Sequence, residues 1–286
     1  MRTMLFKNQY YYFISGLPDF SFDATKIPFS TETFREMLNE ALEPEDNKLI
    51  SRYFLRYDNL NLFQILEKKE GKWHNEGNFS PDEMNEIVEK VKEGDPIDNE
   101  LAPPYYETFI RRWLNEEAPG DARTLEDLIA SFHMDYGLEA PNSLIAAWFE
   151  LNLNIGNILS AIYARKYGIE IPGVVAGNNP LAVTIRENAN ARDFGIALEL
   201  DYFDILLRLS EEDDIFERER RLDKFRWDWL EEHTALDYFN IEYLFAYLCK
   251  LQILERWVKL NAKEGERIFR EMIDNLKSGI EMPEDN

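Results

Sequence analysis

The residues of this chain with chemistry to offer are three histidines, one cysteine and a recurring pair of carboxylate or amide side chains. His74, His133 and His233 stand apart, and none has a His or Cys partner at metal-ligand spacing. His133-Met134-Asp135 and Glu232-His233 are short juxtapositions that read as polar surface or locally bonded imidazoles. Cys249 is the single cysteine, so neither an intrachain disulfide nor a thiolate metal cluster can form. There is no G-x-S-x-G elbow for a serine nucleophile and no G-x-x-x-x-G-K-[ST] loop for phosphates. Gly173, Gly177, Asn178 and Asn179 have the composition of an anion nest, although a plain loop is the simpler reading. Asp193-Phe194-Gly195 matches the metal-binding tripeptide of protein kinases without the glycine-rich loop or H-R-D segment that would give it meaning. No catalytic residue, metal ligand or cofactor site is therefore expected.

The carboxylate and amide pairs carry more information. In SRYFLRYDNLNLFQIL, Asp58 and Asn61 precede Leu62, Ile65 and Leu66 at helical spacing. The arrangement returns as Asn154, Asn157, Ile158, Ala161 and Ile162, and again as Asp237, Asn240, Ile241, Leu244 and Phe245. Asn is a poor mid-helix residue because its amide competes for the backbone. Three copies beside an apolar stripe imply a buried amide bonded to an adjoining helix or loop, one structural unit used three times.

The elements that would position these residues are nearly all helical. Residues 10–17, YYYFISGL, read as a short strand or a buried extended arm. Helices are expected from Thr31, with Ser30 or Thr31 as cap, to a stop at Pro44; from about Glu45 to Lys69; and from Pro81 to Gly94. Others follow from Pro104 to Asn115, from Thr124 to Tyr136 with Gly137 as terminator, and from Pro141-Asn142-Ser143 to Tyr167. Residues 168–180 read as a loop or as two short pairing strands. Further helices are expected over 180–192, from Ile196 through Leu198, Leu200, Phe203, Leu206 and Leu207, after the acidic turn at 210–214, over 236–260 and over 263–277. The fold class is all-α: a single body over 1–286, with approximate repeats 1–100, 101–192 and 193–280 and a disordered tail at 281–286.

Composition bounds the partners. The formal net charge is −23 over 286 residues, so there is no surplus of Lys and Arg to displace counterions from nucleic acid, and the balance argues against adhesion to an anionic lipid surface. The same charge suits a basic protein partner. Hydrophobic residues at 45% give a substantial core. No window has the length of uncharged apolar residues that a membrane span needs, and the opening residues lack a signal-peptide pattern. A reducing, cytoplasmic setting is expected.

Three segments bear a resemblance. QYYYFISGLPDF, NARDFGIALEL and LERWVKLNAKEGERIFREMI resemble an uncharacterised bacterial family encoded in V/A-type ATPase operons. That family is similar, more distantly, to the C-type stalk subunit of these ATPases, which in eukaryotes is called d. The resemblance implies a helical funnel of pseudo-threefold symmetry whose repeats carry a D-x-x-N-[IL] helix. Asp58–Leu62 and Asp237–Ile241 match that motif, and Asn154 departs from it. It also implies a non-catalytic part that couples the central rotor shaft to the membrane proteolipid ring, cytoplasmic and peripheral to the inner membrane. The alternative is a helical scaffold or regulator that binds a basic protein unrelated to the rotor.

Overall fold

The computed structural model describes residues 10–68, 71–118, 124–236 and 238–260. Among them the chain forms eleven α-helices and one 3-10 turn, with no strand, so the protein is all-α. Asp237, the helix expected over 263–277 and the tail at 281–286 lie outside the described residues.

The helices belong to two compact units. In the first, the described residues up to Ala41 join those from Glu211 onward; the second is Leu42–Ser210. The seams expected at 100/101 and 192/193 both lie inside the second unit.

The first unit holds α1 (Tyr11–Ser15), α2 (Thr31–Ala41), α10 (Ile215–Thr234) and α11 (Ile241–Lys259). The expected strand or arm at its start is instead the single helical turn of α1, closed by Gly16. Tyr10 explains the turn: its N–H donates to the Phe239 carbonyl and its own carbonyl accepts from Ile14. The Phe13 ring then stacks towards Phe34. Ser30 caps α2 by accepting from the Thr33 N–H, and Glu255 of α11 accepts from both the N–H and the hydroxyl of Thr31. Asp214 caps α10. Phe22, Trp227, Ile253, Leu254 and Trp257 form the core between α10 and α11. Within it the buried Asp223 carboxylate accepts from Trp257 Nε1 at 3.0 Å, Arg256 at 3.1 Å and Arg226 at 3.0 Å.

The second unit holds α3 (Pro44–Glu67), α4 (Pro81–Glu93), α5 (Tyr105–Leu114), α6 (Leu125–Leu138), α7 (Ser143–Tyr167), a 3-10 turn (Ile171–Val174), α8 (Pro180–Glu187) and α9 (Phe203–Ser210). Local chemistry starts most of them. Pro44, Pro81 and Pro180 occupy first turns, and Ser80, Thr124, Asn142 and Asn179 accept from backbone N–H groups at their caps. The chain through 168–180 forms the 3-10 turn and loop rather than paired strands. Helix α8 ends at Glu187, and the helix expected from Ile196 begins only at Phe203. Arg165 accounts for the early end of α8, since it donates to the carbonyls of Ala189, Ala191 and Arg192 and lies over the Phe194 ring. Phe194 and Gly195 both take positive φ, and Leu198 is fully exposed.

Helix α6 packs along α7 and against α3, while α4 pairs with α3 and α5. Gly137 does not terminate α6, which runs on to Leu138. Its role is close approach: a Cβ there would stand 2.2 Å from the Phe149 ring of α7. Gly156 of α7 has open space instead. No helix among the described residues is long and apolar enough to cross a membrane. Gly137→Ala should lower stability by about 1–3 kcal/mol through overpacking. Gly156→Ala should raise it by up to about 1 kcal/mol, because an exposed helical glycine gains propensity at no steric cost. Thermal unfolding of the two variants beside the parent checks the opposite signs.

Candidate functional site

Two of the three expected amide pairs are the same device. Asn61, wholly buried in α3, donates from Nδ2 to the His74 carbonyl and accepts the His74 N–H on Oδ1, both at 2.9 Å. Asn157 of α7 does the same to Ala176, both bonds at 2.8 Å. A carboxamide presents one donor and one acceptor in a plane, so it pairs with a single residue's N–H and C=O. Each amide thereby clamps the loop that leads into a short proline-started helix, α4 after His74 and α8 after Ala176. Leu62 and Ile158, the next residues, are wholly buried. Each such side chain contributes roughly 1.5–3 kcal/mol.

One turn earlier the two copies diverge for a visible reason. Asp58 accepts the backbone N–H groups of Asn78 (2.6 Å) and Phe79 (3.1 Å) on Oδ1, and the Asn78 amide (2.7 Å) on Oδ2. Three donors converge on it, which suits a carboxylate. Asn154 accepts from Asn179 Nδ2 at 2.8 Å and faces the Tyr202 hydroxyl at 3.5 Å with its own N–H. Its two partners are neutral side chains, an amide and a hydroxyl, where Asp58 meets two backbone N–H groups and an amide. Gly77 was not legible as part of this arrangement. A Cβ on it would stand 2.3 Å from Asp58 Oδ1, so only glycine lets the loop close on the carboxylate. The dipeptide Gly77-Asn78 is the signal that marks it.

The third copy is a different object. Asn240 is not on a helix face; it caps α11, accepting the Tyr243 N–H at 3.0 Å with extended backbone angles. The helix expected from Leu236 starts at Ile241, because α10 closes at Thr234 with Ala235 as its C-cap and Asn240 is extended. Its expected partner Asp237 lies outside the described residues.

The histidines take structural places. His74 offers its backbone to Asn61. His233 stacks on Trp229 and bonds its carbonyl through Nδ1. His133 is buried with Nε2 at 2.8 Å from the Arg52 carbonyl, and since that oxygen only accepts, Nε2 carries the proton. Burial, aided by the charge of Arg56, pushes His133 down to about 4, although its bond to Arg52 pulls the other way. The loop carbonyls of Val175 and Gly177 accept from Arg186, so the Gly173–Asn179 segment is arranged around a cation rather than an anion. Among the described residues no three His, Cys, Asp or Glu side chains gather as a metal site.

The two amide roles respond differently to substitution. Asn61→Ala and Asn157→Ala each orphan two backbone groups and should cost about 2–4 kcal/mol in denaturant unfolding. Asn240→Ser keeps an acceptor at the cap and should cost less than about 1 kcal/mol. For His133, the folded state resists a proton that the unfolded chain accepts. Its contribution is therefore intact above pH 6.5 and lost as pH falls towards about 4. The stability lost across that window should reach about 3 kcal/mol. The measurement is chemical denaturation against pH, in which His133→Gln should flatten the decline.

Comparison with known proteins adds a family. A family model described as "Protein of unknown function (DUF2764)" matches residues 7–280. No curated protein matches the chain, and no solved structure does. With the match extending over most of its length, the chain belongs to the DUF2764 family.

Proposed function

We propose that this chain is a non-catalytic part of a bacterial V/A-type ATPase that couples the central rotor shaft to the membrane proteolipid ring. The observation that carries the reading is the paired clamp: Asp58-x-x-Asn61-Leu62 and Asn154-x-x-Asn157-Ile158 stand on two long helices and hold two loops in the same way. A D-x-x-N-[IL] helix used repeatedly is what the resemblance to the C-type stalk component implies. Asn61 and Asn157 are spent on loop backbone, and Asp58 and Asn154 on the loop segments that follow, as fits a part that transmits force rather than one that turns over substrate. Contact with the ring would be made through protein surfaces, and the acidic balance of the chain suits a basic shaft end.

A second reading, a helical scaffold for an unrelated basic protein, is favoured by the net charge of −23 alone. A tagged pull-down from native membranes in mild detergent, read by mass spectrometry, separates the two. Stoichiometric recovery of catalytic head, shaft and proteolipid subunits is expected. Recovery of one dominant non-ATPase partner, or of the chain alone, would overturn the rotor reading.

A further inference from the structure

A cleft of about 210 Å³ opens in the second unit where the start of α5 meets the end of α6, lined by Pro104, Tyr105, Phe132, Asp135, Tyr136 and Glu139. It is smaller than the roughly 300–1,000 Å³ of small-molecule sites, and it has room for one side chain. Its walls are aromatic. The Tyr105 ring stands 6.1 Å from Phe132 and 6.0 Å, edge-on, from Tyr136. Its rim is acidic, carrying Asp135 and the exposed Glu139. Among the described residues neither carboxylate has an ion-pair partner.

The aromatic walls, the carboxylates and the helix end all favour a cation there. Aromatic faces attract ammonium and guanidinium groups, and the Tyr136 ring already takes Arg52 with the guanidinium carbon 3.8 Å from its centroid. Arg52 also donates to the Tyr136 carbonyl, and among the described residues it makes no ion pair with Asp135 or Glu139. The cleft lies at the C-terminal end of α6, where the helix dipole is negative. Burial and the charge of Glu139 hold Asp135 above the usual carboxylate range, a cost that an arriving cation would relieve.

We infer that this cleft is a docking point for a lysine or arginine side chain of a basic protein partner. Any protein could carry that side chain, so a pull-down without ATPase subunits would leave the docking point standing. The full chain, labelled at its Tyr and Phe rings, is titrated with a capped pentalysine peptide and with the same peptide acetylated on every ε-amine. The Tyr105, Phe132 and Tyr136 ring resonances should shift saturably with the first peptide and stay in place with the second. Affinity should fall about fivefold or more in Asp135→Asn and change less than about twofold in Glu126→Gln, a charge-matched change at the far end of α6. Glu126 is exposed and Asp135 half-buried, and an unchanged amide spectrum shows that each variant folds. Equal weakening by the two variants, or ring resonances that stay still while others move, would mean diffuse attraction to an acidic surface and would overturn the proposal.

Discussion

A loop laid against a long helix leaves backbone N–H and C=O groups that the helix cannot satisfy, because its own are already paired. The second unit meets this constraint twice with an asparagine. The choice costs little: Asn in a helix interior is less favourable than Ala by up to about 0.7 kcal/mol. Leaving the His74 or Ala176 pair orphaned would cost about 1–3 kcal/mol for each group. The amide wins on magnitude, and it wins only where the loop presents both groups of one residue to it.

What the clamps hold follows from where the loops lead. After His74 the chain passes Gly77, meets Asp58 and enters the capping box of Ser80 and Glu83. After Ala176 it passes Gly177, meets Asn154 and enters the Asn179 cap. Each short helix is thus placed by side chains of a long one. The first unit uses carboxylates for related ends. Glu255 takes the open start of α2, and Asp223 ties three donors from α10 and α11 into the aromatic core.

The features legible in the sequence were the ones with local causes. Prolines and Ser, Thr, Asp or Asn caps marked helix starts within a residue or two, and the spacing of Asp58 with Asn61 and of Asn154 with Asn157 gave two real helix faces. The features that escaped have distant causes. Gly137 looks like a stop signal, yet its reason is a phenylalanine on another helix. Leu198 continues an apolar rhythm, but the reversal at Phe194 and Gly195 and the grip of Arg165 on the preceding carbonyls break the helix that the rhythm implies. Asn240 fits the repeated pattern by type and spacing, and its cap role depends on where α10 ends. The pairing of the first described residues with those beyond 211 is non-local and leaves no periodic trace.

The clamps also change what a loop is in this protein. Backbone amides outside regular structure ordinarily exchange their hydrogens with solvent freely. Those of His74 and Ala176 are bonded to side chains rooted in α3 and α7, and they can be released only when an amide lets go. Their exchange therefore requires at least that the bond between loop and helix break. Protection at these two positions measures how firmly α3 and α7 hold chain that has no helical geometry of its own.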